Sequence, residues 1–234
     1  MRTSLRARDR VRYPRSISRR PPPPRQQCLS LHPPNSVEAD FAVELGADDE
    51  TLEFPWSVAE GSPRYYDLKH QPELLLEIEE ARRVPELGEF LVAINSPSGI
   101  LETAKCDAWS STEINPDEEI FGAVHKFVSY IDLLFSRENS RFSFAEHEQL
   151  AKRITQLLKR VPEIPAAAEL IIRRCFYHNV EGIRDGFYIT FYLFGYGDDE
   201  LQSRQRWAIA LKLMENAVLQ ISAEANQSKP KSCE

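Results

Sequence analysis

Apolar positions along this chain follow two rhythms, and each predicts a different element. Leu74, Leu75, Ile78 and Ala81 recur at helical spacing, behind Pro72 at a first-turn position and ahead of Arg82 and Arg83 at the negative end, which predicts a helix over 72–83. Residues 85–95 fit both rhythms. Pro85 and Glu86 at the start, with Asn95 and Pro97 at the end, are helix punctuation and favour a helix. From Gly99 to Trp109 the chain alternates like a strand, with Ile100, Glu102, Ala104, Cys106 and Ala108 on one side and Leu101, Thr103, Lys105, Asp107 and Trp109 on the other.

The segment from Asn115 to Phe135 reads as the clearest helix. Asn115 suits a cap, Pro116 the first position and Asp117 to Glu119 the first turn, and Ile120, Phe121, Val124, Phe127, Val128, Ile131, Leu134 and Phe135 keep a 3.6-residue period. A further helix over 144–161 opens on Ser143 and Glu146, the S-x-x-E capping box, and buries Leu150, Ile154, Leu157 and Leu158. Two runs rich in β-branched and aromatic residues, 168–178 and 187–195, are predicted strands, with Asp185-Gly186 as a turn in a long connection. A last helix is expected over 198–223, with Asp198, Asp199 and Glu200 at its positive end.

These elements imply an α+β fold: a small antiparallel sheet of about three strands, with room for a fourth, packed against four to five helices. The domain is expected over 64–224. Residues 36–63 read as an acidic linker, 225–234 as a frayed tail, and 1–35 as a disordered tail that cannot pack a core.

Charge sharpens that division. Residues 1–35 hold nine arginines, one acid and seven of the 16 prolines, a charge of +8, whereas the rest of the 234 residues hold 20 basic and 35 acidic groups, or −15. The basic segment fits four readings: an organelle transit peptide, a nucleic-acid-binding arm, a proline-rich ligand carried by Arg20 to Arg25, or upstream sequence ahead of a true start near Val37 or Val43. The four cysteines, Cys28, Cys106, Cys175 and Cys233, lack zinc or dithiol spacing. No secretory apolar core follows the basic start, so free thiols in a reducing cytoplasm are expected, with organelle import as the alternative. No apolar run is long enough to span a membrane.

Candidate chemistry is sparse. Glycine-rich phosphate loops, the H-E-x-x-H zinc motif and the G-x-S-x-G elbow are absent from the sequence. No cofactor or metal is implied. Gly195-Tyr196-Gly197 resembles half of a phosphate cradle, but the carboxylates that follow would repel an anion, so a turn with an acidic cap is expected. His125 reads as a helix boundary residue and His147 as part of an exposed charged face. One assumed strand pairing would bring Cys106, Asp107 and His178 into a pocket with thiol chemistry.

The stronger pattern is a shared strand face. Arg173, Cys175 and Tyr177 alternate together, as do Tyr188, Thr190, Tyr192 and Phe194. A surface of Arg173, Tyr177, Tyr188 and Tyr192 suits a protein partner, since tyrosine and arginine dominate interface hot spots. The sequence therefore predicts a non-catalytic binding module whose partner is another protein or a second copy of itself. The alternatives are a small-molecule-binding protein or enzyme with a pocket between sheet and helices, and nucleic-acid binding through the basic tail. The acidic balance weighs against nucleic acid for the folded part.

Overall fold

The sheet is larger than that reading expected, and mixed. A computed structural model describes residues 37–57, 64–115, 118, 122–160 and 164–227. Six strands form one sheet: β1 Glu38–Val43, β2 Thr51–Phe54, β3 Leu101–Ser111, β4 His125–Phe135, β5 Ala166–Asn179 and β6 Gly182–Gly197. The order across it is β1, β5, β6, β4, β3. β1 and β2 share one edge of β5, both parallel to it, and the other pairings are antiparallel. The expected three-stranded antiparallel sheet is thus corrected to six strands in mixed pairing.

Two of the additional strands come from the segment read as a linker. β1 alternates Ala39 and Phe41 against Glu38 and Asp40, and β2 places Leu52 and Phe54 on one side. Each is too short to announce itself. They form because β5 extends far enough to template both, Ala167–Ile172 for β1 and Arg174–Tyr177 for β2.

The third correction is β4, expected as a helix. Its eleven residues pair with β3 on one side and β6 on the other, and nine of them are buried. A central strand covered on both faces shows no alternation, so its apolar residues fell by chance at helical spacing. The capping signals Pro116, Asp117 and Glu119 to Phe121 lie outside the described residues, as do residues 1–35 and 228–234.

Other elements match in kind and differ in detail. The predicted first helix divides at Ile78, which is extended, into a 3₁₀ turn Pro72–Glu77 and α1 Glu79–Arg83. α2 is Pro85–Ile94, the helical choice for that ambiguous segment. A short α3, Glu138–Arg141, precedes α4 Phe144–Leu158, where the Glu146 amide donates to the Ser143 side chain as the capping box requires. α5 runs Glu200–Gln227, with the Gln202 amide bonded to the Asp199 carboxylate. β5 and β6 join through Val180 and Glu181, with Asn179 opposite Gly182 at φ +130, a region open to glycine. The turn expected at Asp185-Gly186 is inside β6, where Gly186 faces Cys175.

Helices α2, α4 and α5 cover one face of the sheet. Leu170, Ile172, Ile131, Leu133, Ile189, Phe191 and Leu193 point into them and meet Leu87, Phe90, Ile154, Leu211, Met214 and Val218. Trp207 of α5 is fully buried, its ring 4.8 Å from Phe127 and its Nε1 donating to Ser129 Oγ at 2.9 Å. α5 lies so close to β6 that a Cβ on Gly195 would fall inside the van der Waals shells of Ser203 O and Trp207 N. The Gly-Tyr-Gly run is therefore a helix-docking platform, which accounts for its glycines without a phosphate.

Candidate interaction face

Residues that point away from the helices form the second face, and its two ends differ. At the end near β2, Leu52 and Phe54 join Leu134, Cys175, Tyr177 and Tyr188 in a second apolar cluster, roofed by Trp56, Tyr65 and Phe142. Arg141 lies over the rings of Phe54 and Tyr177, donates to Phe135 O at 2.9 Å and reaches Glu102 at 2.5 Å. That end is closed.

The other end carries a chain of rings. Trp109 on β3 meets Tyr130 on β4 at 6.5 Å, and Tyr130 meets Tyr192 on β6 at 6.2 Å. Along β6, Tyr192, Phe194 and Tyr196 stack at successive 6.4 Å steps, tilted by 18° and 13°. The pleat produces this spacing, because alternate residues of one strand stand on one face. Trp109 is 40% exposed, and Tyr130, Tyr192 and Phe194 are half-buried. Ring pairs in such offset and edge-on contact hold each other rigid at little entropic cost.

Register sets what borders the rings. One row crosses five strands as Asp107, Tyr130, Tyr192, Glu169 and Asp40. The next reads Trp109, Val128, Phe194, Ala167 and Glu38. The rings therefore occupy the middle, and carboxylates gather at the β5–β1 edge.

A buried polar network divides the open end from the closed one. Arg173, 6% exposed, donates to Glu44 at 2.9 Å, to Glu50 at 3.0 Å and to Thr190 Oγ1 at 3.1 Å. Thr190 in turn donates to Asp132 at 2.9 Å. The Arg173 guanidinium also stands over the Tyr192 ring at 5.9 Å. Burial pushes the Asp132 carboxyl up to about 7, against the opposing Thr190 hydrogen bond. At the opposite border Lys126 pairs with Glu118 at 2.8 Å, lies 6.0 Å over Phe194, and Tyr196 donates to Glu118 at 2.9 Å.

Arg173, Tyr177, Tyr188 and Tyr192 do share this face, as their alternation suggested, since Arg173 is opposite Tyr188 and Glu169 opposite Tyr192. Their roles divide. Tyr177 and Tyr188 are buried in the closed end, where Tyr177 donates to Phe187 O at 2.8 Å. Arg173 is held in the network, and Tyr192 alone among the four remains half-exposed. Trp109 and Tyr130 complete the open surface. Tyr130 was hidden by the helical reading of β4. Trp109 shares a side with Asp107 on β3, an alternation visible in the sequence that did not mark it as part of a site.

Cys106, Asp107 and His178 do not converge. β4 and β6 separate β3 from β5, about 14 Å of sheet. Cys106 is opposite Ile131 and packs on the helix-side core, and burial pushes its thiol up, away from a reactive thiolate. Asp107 is paired with Arg83 at 2.8 Å, and His178 contacts Glu53 at the end of β5. A bulge between Thr103 and Cys106 also mixes the two predicted faces of β3, so Leu101 and Thr103 share a side with Cys106 and Ala108. His147, expected on an exposed face, is 1% exposed, and its Nδ1 donates to Ser143 O at 2.8 Å.

Among the described residues no group of three or more His, Cys, Asp or Glu is placed to hold a metal, and no helix is long and apolar enough to cross a membrane. A groove of about 680 Å³ between α4 and α5 is rimmed by Arg137, Glu146, Lys152, Arg153 and Glu224. The rim carries charges of both signs. Comparison with protein-family models, curated proteins and solved structures finds no match for this chain. Fold and face together define an α+β protein with one helix-covered sheet face and one that is half open and aromatic.

Proposed function

We propose that this protein is a non-catalytic binding module that engages a protein partner through the open end of its second sheet face. The observation that carries this reading is the ring chain Trp109–Tyr130–Tyr192–Phe194, which spans three strands in the solvent-facing layer. Rigid aromatics of this kind supply large contact area for little lost side-chain freedom, and they are the residues that dominate interface energetics. The rings lie outside the helix-side core.

The test is site-specific photo-crosslinking in the cells that naturally make the protein. A photoreactive residue at position 109 is expected to give a discrete protein adduct that disappears when Tyr192→Glu is added. The same residue at position 219, on the outer side of α5, is expected to give none. Equal adducts at both positions, or an adduct indifferent to Tyr192→Glu, overturns the reading.

A further inference from the structure

The connection between β1 and β2, residues 44–50, is tied to the sheet at both its ends by one buried side chain. We infer that Arg173 is a latch on this connection, and that a proton on Asp132 sets how tightly the latch holds. The inference goes beyond the docking reading and does not depend on it, although Arg173 also borders the open face, over Tyr192.

Topology makes such a tie necessary. β1 and β2 both run parallel to β5 along the same edge, so the chain between them leaves that edge and returns to it. Inside the connection the Gly46 amide donates to the Asp49 carboxylate at 2.6 Å and the Asp49 amide to Gly46 O at 3.3 Å, a turn closed on itself. Glu44 and Glu50, at its two ends, converge on the Arg173 guanidinium at 2.9 and 3.0 Å. Their side chains are 40% and 54% exposed, whereas that of Arg173 is 8% exposed, so the tie is anchored from below.

Arg173 faces inward as well. Its Nη1 donates to Thr190 Oγ1, and the Thr190 hydroxyl gives its one hydrogen to Asp132. Among the described residues Asp132 accepts that single hydrogen bond and touches no cation, at 3% exposure. A carboxylate so placed keeps its charge poorly, and burial pushes it up to about 7. The groups that face it are Lys105 and Cys106 on β3, Arg173 and Cys175 on β5, Tyr188 and Tyr192 on β6, and Glu50 in the connection. Lys105 and Arg173 favour its charge and Glu50 opposes it. Burial raises both thiols and both phenols, away from neutral pH, which leaves Asp132 as the group that titrates there.

With Asp132 neutral, the charge of the guanidinium is left to Glu44 and Glu50, and the connection is gripped. As pH rises through about 7, Asp132 releases its proton to solvent. Its charge then draws Arg173 inward through Thr190 and repels Glu50, and the grip loosens. The coupling is reciprocal, so the effect of Glu50 on the Asp132 proton measures the effect of that proton on the hold over Glu50.

Two measurements on the full chain test the latch. Carboxyl-carbon NMR should place the Asp132 titration midpoint near 7, and Glu50→Gln, at an exposed position, should lower it by about half a pH unit or more. Hydrogen exchange at the Glu44 amide, which donates to Ile172 O at 2.9 Å, should be about fivefold or more slower at about pH 6 than at about pH 8, once corrected for the intrinsic pH dependence of exchange. Asp132→Asn should abolish that difference and keep the slow rate at both pH values. If that variant fails to fold, the Glu50→Gln midpoint decides. A parent midpoint below about 6, a midpoint unmoved by Glu50→Gln, exchange equal at the two pH values, or a difference that persists in Asp132→Asn overturns the latch. These readouts need no partner, so failure of the latch leaves the crosslinking test of the docking face standing, and failure of that test leaves the latch.

Discussion

The two faces of the sheet are made from the same strands, yet they are chemically unlike. Along β5, Ala168, Leu170 and Ile172 point to the helices, while Glu169, Ile171 and Arg173 point the other way. Along β6, Ile189, Phe191 and Leu193 alternate with Tyr188, Thr190, Tyr192 and Phe194. The aliphatic set is closed by three helices and carries the hydrophobic stabilisation. The second set combines rings, a buried ion network and an acidic edge, a mixture that stabilises less per residue. One face is organised by packing and the other by chemistry.

The largest expected effect lies where the packed face leaves no room. Gly195→Ala puts a methyl group between β6 and the first turns of α5, against backbone atoms of Ser203 and Trp207 that cannot rotate away. Stability should fall by at least about 3 kcal/mol, read as a shift in the chemical-denaturation midpoint. A loss under about 1 kcal/mol would mean that α5 can lift off the strand, and that the contrast between a rigid face and a permissive one is overstated.

This contact also shows where the sequence was silent. Gly195 and Gly197 were visible as a pair, but the backbone that crowds them lies beyond a turn and approaches only in three dimensions. The helices with polar outer sides, α2, α4 and α5, were legible because half-buried elements print their period in the chain. β4 was not, because a strand buried on both sides prints none. Its loss also hid Tyr130, the ring that links Trp109 to Tyr192 on the open face. β1 and β2 are six and four residues long and exist through their pairing with β5, a long-range fact. The alternation of Arg173, Tyr188 and Tyr192 was legible and correctly placed them together. What it could not say was which end of the face β2 would close. His147 was read as exposed from its acidic neighbours, whereas Phe135 and Phe187, from two different strands, enclose it edge-on at 4.8 and 5.7 Å.

Asp132 on one face and His147 on the other are both buried, and the two respond to pH in opposite directions. Asp132, in the open-face network, has its carboxyl raised by burial from an ordinary 3.8 to about 7. Below about pH 4 both folded and unfolded chains hold that proton. As pH rises toward 7 the unfolded chain releases it first, so stability falls across that window. His147, on the helix side, has its imidazole lowered by burial from an ordinary 6.5. The unfolded chain therefore takes up a proton first as pH falls below 6.5, and stability is lost on the acid side. Asp132→Asn is expected to stabilise the protein at pH 7 by on the order of 1–3 kcal/mol, a gain that vanishes near pH 4. His147→Asn should flatten the acid-side slope, whatever its effect on absolute stability. Denaturation midpoints across pH decide both. An Asp132→Asn curve parallel to the parent's would show that this carboxyl is ionised throughout and that the network is wetter than its burial implies.

The smallest effect on stability is expected where the effect on binding is largest. Trp109 is an exposed ring on the outer strand β3, touching Tyr130 at its edge. Trp109→Ala removes surface that is already in contact with water, and should cost no more than about 1 kcal/mol. Tyr188, on the same face but 1% exposed and packed in the closed end, should cost about 3 kcal/mol when cut to alanine. If the open rings exist for a partner, the ranking reverses in a binding experiment. Trp109→Ala should then weaken association about tenfold or more, because truncated anchors at the centre of an interface carry most of its energy. Folded Tyr188→Ala protein should bind nearly as the parent does. Were Trp109→Ala to destabilise the fold as much as Tyr188→Ala, the ring chain would be a structural layer like the helix-side core, and the two faces would differ in composition but not in purpose.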